Sequence, residues 1–255
     1  MYDYGEDFYG FLASFAARSA ERIVPKLTAA IPIRSVVDFG CGQGAWLSVW
    51  TRAGASVVGI DGPHIDRSRL LINPDNFHAI NLAEPIDLGR KFDLVQSLEV
   101  AEHLSAAHAE RFVNTLTSHS SCVLFSAAVP GQGGENHVNE QPLSYWRAMF
   151  RERGYDAIDY LRPLIVNDSA IARWYRCNIM LYVRDDIVSS LSEPLRSCRV
   201  LDNKQLCDYW PLPYRIRHAV IRRLPICAVN LISRFSSLWA ARSVAMWGPR
   251  LTRSP

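Results

Sequence analysis

The chain reads as an α/β protein: a mostly parallel sheet with helices on both faces, followed by a basic helical extension. Three observations lead there. Val36-Val37 and Val57-Val58 belong to apolar, β-branched runs typical of strands buried on both faces. Segments of helical spacing alternate with such runs, which is the pattern of a covered parallel sheet. Between the first strand and the next helix stands Asp38-Phe39-Gly40-Cys41-Gly42-Gln43-Gly44, where glycines let the backbone turn sharply and bring N–H groups close to a ligand.

A length of 255 residues with 49% hydrophobic content provides one sizeable core and an appendage. A net charge of +3 makes no case for nucleic acid. The six cysteines are scattered without a C-x-x-C pair, which reads as reduced thiols in a cytoplasmic protein. Met1–Asp7 is acidic and aromatic, unlike a secretory leader, and no run reaches the roughly 18 apolar residues of a membrane span.

Residues 8–30 carry Phe8, Phe11, Leu12, Phe15, Ile23 and Leu27 at helical spacing, with Pro25 breaking the pattern. One or two helices over the ligand mouth are expected, with Tyr4 or Tyr9 able to line it or simply to pack. The first strand and its glycine turn lead into a helix from Ala45 to Ala53, ended by Gly54. Asp38 puts a carboxylate at the mouth, which attracts a positively charged nucleoside and repels a pyrophosphate. Gly40-x-Gly42-x-x-Ala45 alone also fits a dinucleotide fingerprint. Ser56–Gly62 is a second strand, and its Asp61 comes about 20 residues on, where a ribose hydroxyl pair is held.

His64–Leu71 reads as a short helix and Phe77–Ile80 as a third strand. Asn81 then either contacts an adenine edge or makes a turn. Phe92–Leu98 is a fourth strand with Glu99-Val100-Ala101-Glu102-His103-Leu104 at its carboxyl end, where open α/β sheets bind ligands. Ser105 caps a helix through Ser118. Cys122–Ala127 is a fifth strand, followed by the glycine-rich loop 130–141. Pro142 opens a helix that faces Trp146, Met149 and Phe150 inward and stops at Gly154. Asp156–Leu161 and Asn178–Val183 are the closing strands.

These residues resemble the class I S-adenosylmethionine-dependent methyltransferases. Asp38-x-Gly40-x-Gly42-x-Gly44 is similar to the first motif of that class, and Asp61 to its ribose-binding acid. Phe92-Asp93-Leu94-Val95 through Glu99-Val100-x-Glu102-His103-Leu104 is similar to its fourth-strand motif. The resemblance covers residues 8–184. It implies a Rossmann-like, mostly parallel seven-stranded sheet, S-adenosyl-L-methionine as cofactor, and methyl transfer. The implied cofactor contacts are Asp38, Gly40, Cys41, Gly42, Gly44, Asp61, Gly62, Asn81, Leu82, Leu98 and Glu99. Asn81 departs from the family, which usually has aspartate there. Leu124–Gly134 with His137-Val138-Asn139-Glu140-Gln141 is similar to a bacterial group found among glycan and natural-product biosynthesis proteins.

Transfer to a hydroxyl needs alignment and removal of a proton. His137, His103 and Glu102 are the expected catalytic residues, because they stand on segments after strand ends and histidine works near neutral pH. The expected reaction is O-methylation of a small molecule or glycan precursor. In an alternative, Glu99, Glu102, His103 and His137 hold a divalent metal on a vicinal diol, as in metal-dependent RNA-end and quinone-pathway relatives. The plainer role of Glu102 and His103 is to cap or orient the next helix. Tyr145 and Trp146 either stack on an acceptor or pack.

Residues 1–185 form the cofactor-binding domain and 186–255 the extension. From Arg196 to Arg253 eleven basic residues face only Asp202 and Asp208, interleaved with Trp210, Ile216, Val220, Leu224, Trp239 and Trp247. Such amphipathic stretches either lie on an anionic membrane face through residues 196–255 or pack on the domain or on a second subunit of a homodimer. A silent cofactor-binding module tethered by this extension is the non-enzymatic alternative. No nucleic-acid partner is expected.

Overall fold

The computed structural model describes residues 6–225, 227–229 and 231, with side chains from residue 15 onward. Tyr4, the side chain of Tyr9, Trp239 and Trp247 lie outside the described residues. The elements are α1 (Glu6–Thr28), β1 (Ser35–Phe39), α2 (Ala45–Arg52), β2 (Ser56–Asp61), β3 (Phe77–Ala79), β4 (Leu94–Leu98), α3 (Ala106–His119), β5 (Cys122–Ser126) and α4 (Leu143–Arg151). They continue with β6 (Tyr155–Ile158), α5 (Leu161–Ile165), α6 (Arg173–Asn178), β7 (Met180–Arg184), α7 (Asp185–Val188), α8 (Glu193–Arg196) and α9 (Leu212–Ile221). The seven strands form one sheet in the order β3-β2-β1-β4-β5-β7-β6. Pairs from β3 through β5 are parallel, and β7 runs antiparallel to both its neighbours.

Alternation along β1 explains both covering layers. Val36 joins the apolar cluster of α1 and α2, with Ile23, Leu27, Leu47 and Trp50. Val37 and Phe39 point the other way, to Phe112, Phe125, Trp146 and Phe150 of the α3–α4 side. There Phe150 stacks on Tyr182 at 3.9 Å between ring centroids. The central strands therefore end together at the mouth between β1 and β4, where the order of connection reverses.

Several local expectations are corrected. His64–Leu71 is not a helix: only a 3₁₀ turn, Arg67–Arg69, forms, capped by Asp66 accepting from the Ser68 N–H. Residues 6–28 are one helix, within the one or two expected, and Pro25 stands inside its last turns instead of breaking it. Ser105 makes no side-chain cap; its Oγ lies 2.8 Å from Nδ1 of His108. Asn178 ends α6 instead of opening a strand, and α5 and α6 precede β7.

The described part of the extension packs on the domain. Val188 and Leu195 belong to the same core cluster as α1 and α2. The Val200 N–H donates to the Ala157 carbonyl at 2.9 Å, and the Asp159 N–H to the Cys198 carbonyl at 2.9 Å. Arg162 is fully buried; it pairs with Asp159 at 2.7 Å and donates to the carbonyls of Cys177 and Cys207. Among the described residues no helix is long and apolar enough to cross a membrane.

Candidate active site

The turn after β1 is held by its own hydrogen bonds. The N–H groups of Gly40, Gly42 and Gly44 donate to the Ile60 carbonyl (2.8 Å), Asp61 Oδ2 (2.7 Å) and the Cys41 carbonyl (2.9 Å). They are therefore not free donors for an anion, which corrects the expectation of bare N–H groups. Gly40 has φ 90°, and a Cβ there would fall 2.3 Å from Val100. Gly42 has φ 55° and open space where a Cβ would stand, leaving room for a ligand against its backbone. Cys41 is buried, with Sγ 3.4 Å from the Gly42 carbonyl, and burial pushes its thiol pKa well up.

Two acids end adjacent strands. Asp38 stands opposite Gln96 in the β1–β4 ladder and accepts from its Nε2 at 2.8 Å; Gln96 in turn accepts from Trp50 Nε1 at 3.0 Å. Burial raises the Asp38 pKa to about 8, against the pull of the Gln96 hydrogen bond. Asp61 accepts from the N–H groups of Gly42 and Gly62, at 2.7 and 2.6 Å, yet burial still leaves its pKa raised. The open side of Gly42 lies beside these two strand ends.

Glu99 is fixed at the end of β4 in the left-handed region, φ 57°, at a conformational cost of about 1 kcal/mol or more for a non-glycine residue. Its carboxylate is clamped by two amides, Gln132 Nε2 at 2.8 Å and Asn178 Nδ2 at 3.3 Å. Asn178 also donates to Gln132 Oε1 at 2.8 Å and accepts from Trp210 Nε1 at 3.1 Å. The sequence reading missed Gln132, Asn178 and Trp210 as parts of this mouth.

Glu102, His103 and His137 come together: one ligand-type atom from each lies within 4.8 Å of the others. The two imidazoles meet edge to face at 4.9 Å. Nδ1 of His137 is 2.9 Å from Glu140 Oε1, and Nδ1 of His103 is 3.3 Å from the Asn136 carbonyl. These contacts orient both rings through Nδ1. Burial, then the neighbouring His137, lowers the His103 pKa to about 4. Glu102 is fully buried and neither carboxylate oxygen makes a well-formed hydrogen bond. Burial, then the nearby Glu99, raises its pKa well above the usual carboxylate range, against the pull of the backbone amides of Glu102 and Ala128. Glu99 itself is turned to the amides, outside this three-residue cluster. Glu140 also accepts from the N–H groups of Gly131 and Gly133, both at 2.7 Å, which ties the loop 130–141 around His137.

The remaining expected residues divide. Leu98 is buried at the end of β4, and Gly62 holds Asp61 through its N–H. Asn81 is exposed and accepts from the Ala83 N–H at 3.1 Å, the turn that was one of its two readings; Leu82 beside it is half-buried. Trp146 is fully buried, a packing residue, and half-buried Tyr145 lies edge-on to it at 5.0 Å.

A glycine turn, an acid at each of two strand ends and this sheet order define a cofactor-binding methyltransferase fold, and comparison with known proteins agrees. The family profile described as a methyltransferase domain matches residues 10–160, and the chain belongs to that family, within the S-adenosylmethionine-dependent methyltransferases. It is 35% identical over 104 residues to a ubiquinone biosynthesis O-methyltransferase of Rhodopseudomonas palustris (strain BisA53), across 37% of this chain and 39% of that protein. The same-named protein of Bradyrhizobium diazoefficiens is 34% identical over 104 residues, with the same two coverages. The chain thus spans about two-fifths of the length of the curated relatives it matches.

Among solved structures, the sugar N-methyltransferase KedS8 from Streptoalloteichus aligns with a TM-score of 0.52 at 16% identity, over 68% of this chain and 87% of that one. DesVI of Streptomyces venezuelae aligns at 0.51 and 15%, over 67% and 92%. Magnesium protoporphyrin IX methyltransferase from Synechocystis, solved with S-adenosylhomocysteine, aligns at 0.50 and 20%, over 67% and 84%. At these identities the likeness is one of fold.

Proposed function

We propose that the chain transfers a methyl group from S-adenosylmethionine to a hydroxyl oxygen of a small-molecule acceptor, with Glu102, His103 and His137 holding a divalent cation at the acceptor side. One observation carries this reading: Glu102 is buried with neither carboxylate oxygen in a well-formed hydrogen bond, beside two oriented imidazoles. A carboxylate left so would cost several kcal/mol unless protonated or neutralised. A hard or borderline cation with mixed oxygen and nitrogen ligands fits that set. When bound, such a cation lowers the pKa of a hydroxyl and orients it.

S-adenosylmethionine supplies a methyl group on a positively charged sulfonium. Asp61 and the open side of Gly42 hold the nucleoside, Asp38 adds acid character beneath the turn, and Glu99 faces the mouth from β4. With a cation held, one nitrogen of His137 would face Glu140 and the other the cation, so the acceptor hydroxyl, its pKa lowered, would give its proton to solvent. The ubiquinone biosynthesis O-methyltransferases among the relatives support oxygen as the atom methylated, and a vicinal diol is the acceptor that a cation on this cluster would chelate. Without a cation, His137 alone would act as base, and chelation separates the two.

The test is turnover on a panel of catechols, monophenols and sugars, with chelator and with magnesium or manganese restored. Methyl ethers that need the cation, and a loss of about a hundredfold or more in kcat/KM for Glu102→Gln with S-adenosylmethionine affinity kept, are expected. N- or C-methylated products, or turnover indifferent to the chelator, would contradict it.

A further inference from the structure

The outer face of α9 is apolar. Leu212, Ile216 and Val220 are 66%, 59% and 54% exposed, and Leu224 just beyond the helix is 37% exposed. At about 100° per residue, this four-residue spacing lays them along one stripe. His218 and Ile221 are buried on the opposite side. Arg222 falls along one edge of the stripe and Arg223 within it; Arg215, on the same edge as Arg222, pairs with Asp208 at 3.2 Å, and Arg217, on the other edge, turns to the loop beneath the helix. From Tyr209 to Pro255 the sequence has Arg215, Arg217, Arg222, Arg223, Arg234, Arg242, Arg250 and Arg253, and no aspartate or glutamate.

The inner face of the same helix rests on the loop that carries His137. A Cβ on Gly131 would fall 2.1 Å from the His218 carbonyl oxygen, and Arg217 Nη1 donates to the Gln132 carbonyl at 2.7 Å.

We propose that α9 docks by this stripe onto the surface of an anionic lipid bilayer, so that the helix lies between the membrane and the loop 130–141. Leucine, isoleucine and valine side chains enter the headgroup boundary, and Arg222 and Arg223 meet anionic headgroups. Four partly exposed aliphatic side chains supply far less than the roughly 800 Å² per partner of a stable dimer. An exposed apolar stripe with Arg222 and Arg223 beside it also differs from a face built for nucleic-acid phosphates, where apolar residues would be idle.

The test uses the full chain without S-adenosylmethionine, so its outcome is independent of the methyl-transfer reading. Sedimentation is measured with phosphatidylcholine vesicles and with mixed phosphatidylcholine–phosphatidylglycerol vesicles. The chain is expected to pellet with the anionic vesicles and far less with the neutral ones. The triple variant Leu212→Ser, Ile216→Ser, Val220→Ser should lose at least about tenfold in partitioning. The variant Arg222→Gln, Arg223→Gln should lose part of the preference for anionic lipid. Because the substituted side chains are exposed, folding is checked by an unchanged melting temperature. A chain that stays in the supernatant with both vesicle types overturns the proposal. So does a triple variant that pellets like the wild type, or one whose sole change is the loss of a dimer in analytical ultracentrifugation.

Discussion

A Cβ on Gly134 would fall 2.0 Å from Nε2 of His137, so the imidazole occupies space that only a glycine leaves free. Gly134→Ala is therefore expected to displace the ring from Glu102 and His103 while the cofactor turn stays intact. Turnover should drop by about tenfold to a hundredfold, with S-adenosylmethionine affinity within about twofold of wild type by calorimetry. Equal losses in both would place His137 at the cofactor instead.

Asp61 joins the two halves of the cofactor turn, since it accepts from both Gly42 and Gly62. In Asp61→Asn the side chain keeps one acceptor oxygen and presents an amide to the second N–H. S-adenosylmethionine should bind about tenfold or more weakly, measured by titration calorimetry.

Stability should fall with rising pH through Asp38. Its pKa is about 8 in the folded chain against an ordinary 3.8, so between those values only the folded form holds the proton. The contribution is fully present below about pH 4 and is lost as pH rises through about 8. Asp61, Glu99 and Glu102, also raised by burial, act in the same direction. Asp38→Asn should flatten the pH dependence of the melting temperature and raise it by roughly 5 °C at pH 8.

Arg162 tests whether the extension is bound to the domain. It is fully buried and links Asp159 to the carbonyls of Cys177 and Cys207, whereas the pair Arg52–Glu21 has side chains 58% and 54% exposed. Removing a buried partner costs about 3–5 kcal/mol, an exposed one about 0–1 kcal/mol. Chemical denaturation should therefore show a loss of about 3 kcal/mol for Arg162→Met and little for Arg52→Met.

The sheet was legible because period and composition act locally. Val36 and Val37 point to opposite layers as strand alternation requires, and Gly54 ends α2 where expected. His103 and His137 could be paired from their places after strand ends. The clamp on Glu99 could not: Gln132, Asn178 and Trp210 reach it from 33 to 79 residues away or through one another, by single hydrogen bonds that leave no periodic trace. Helices α5 and α6 are too short for a helical repeat to show, and Pro163 lies inside α5. Glu140 stands three residues after His137, a spacing that does not by itself single it out as the partner of that ring.

The central claim is that the cluster of Glu102, His103 and His137 holds a cation at the acceptor side. Manganese titration followed by electron paramagnetic resonance tests it most directly, with S-adenosylmethionine present and without acceptor. The account predicts one tightly bound ion per chain in the wild type and its loss in Glu102→Gln. A wild type that binds S-adenosylmethionine but leaves manganese free in solution would contradict it.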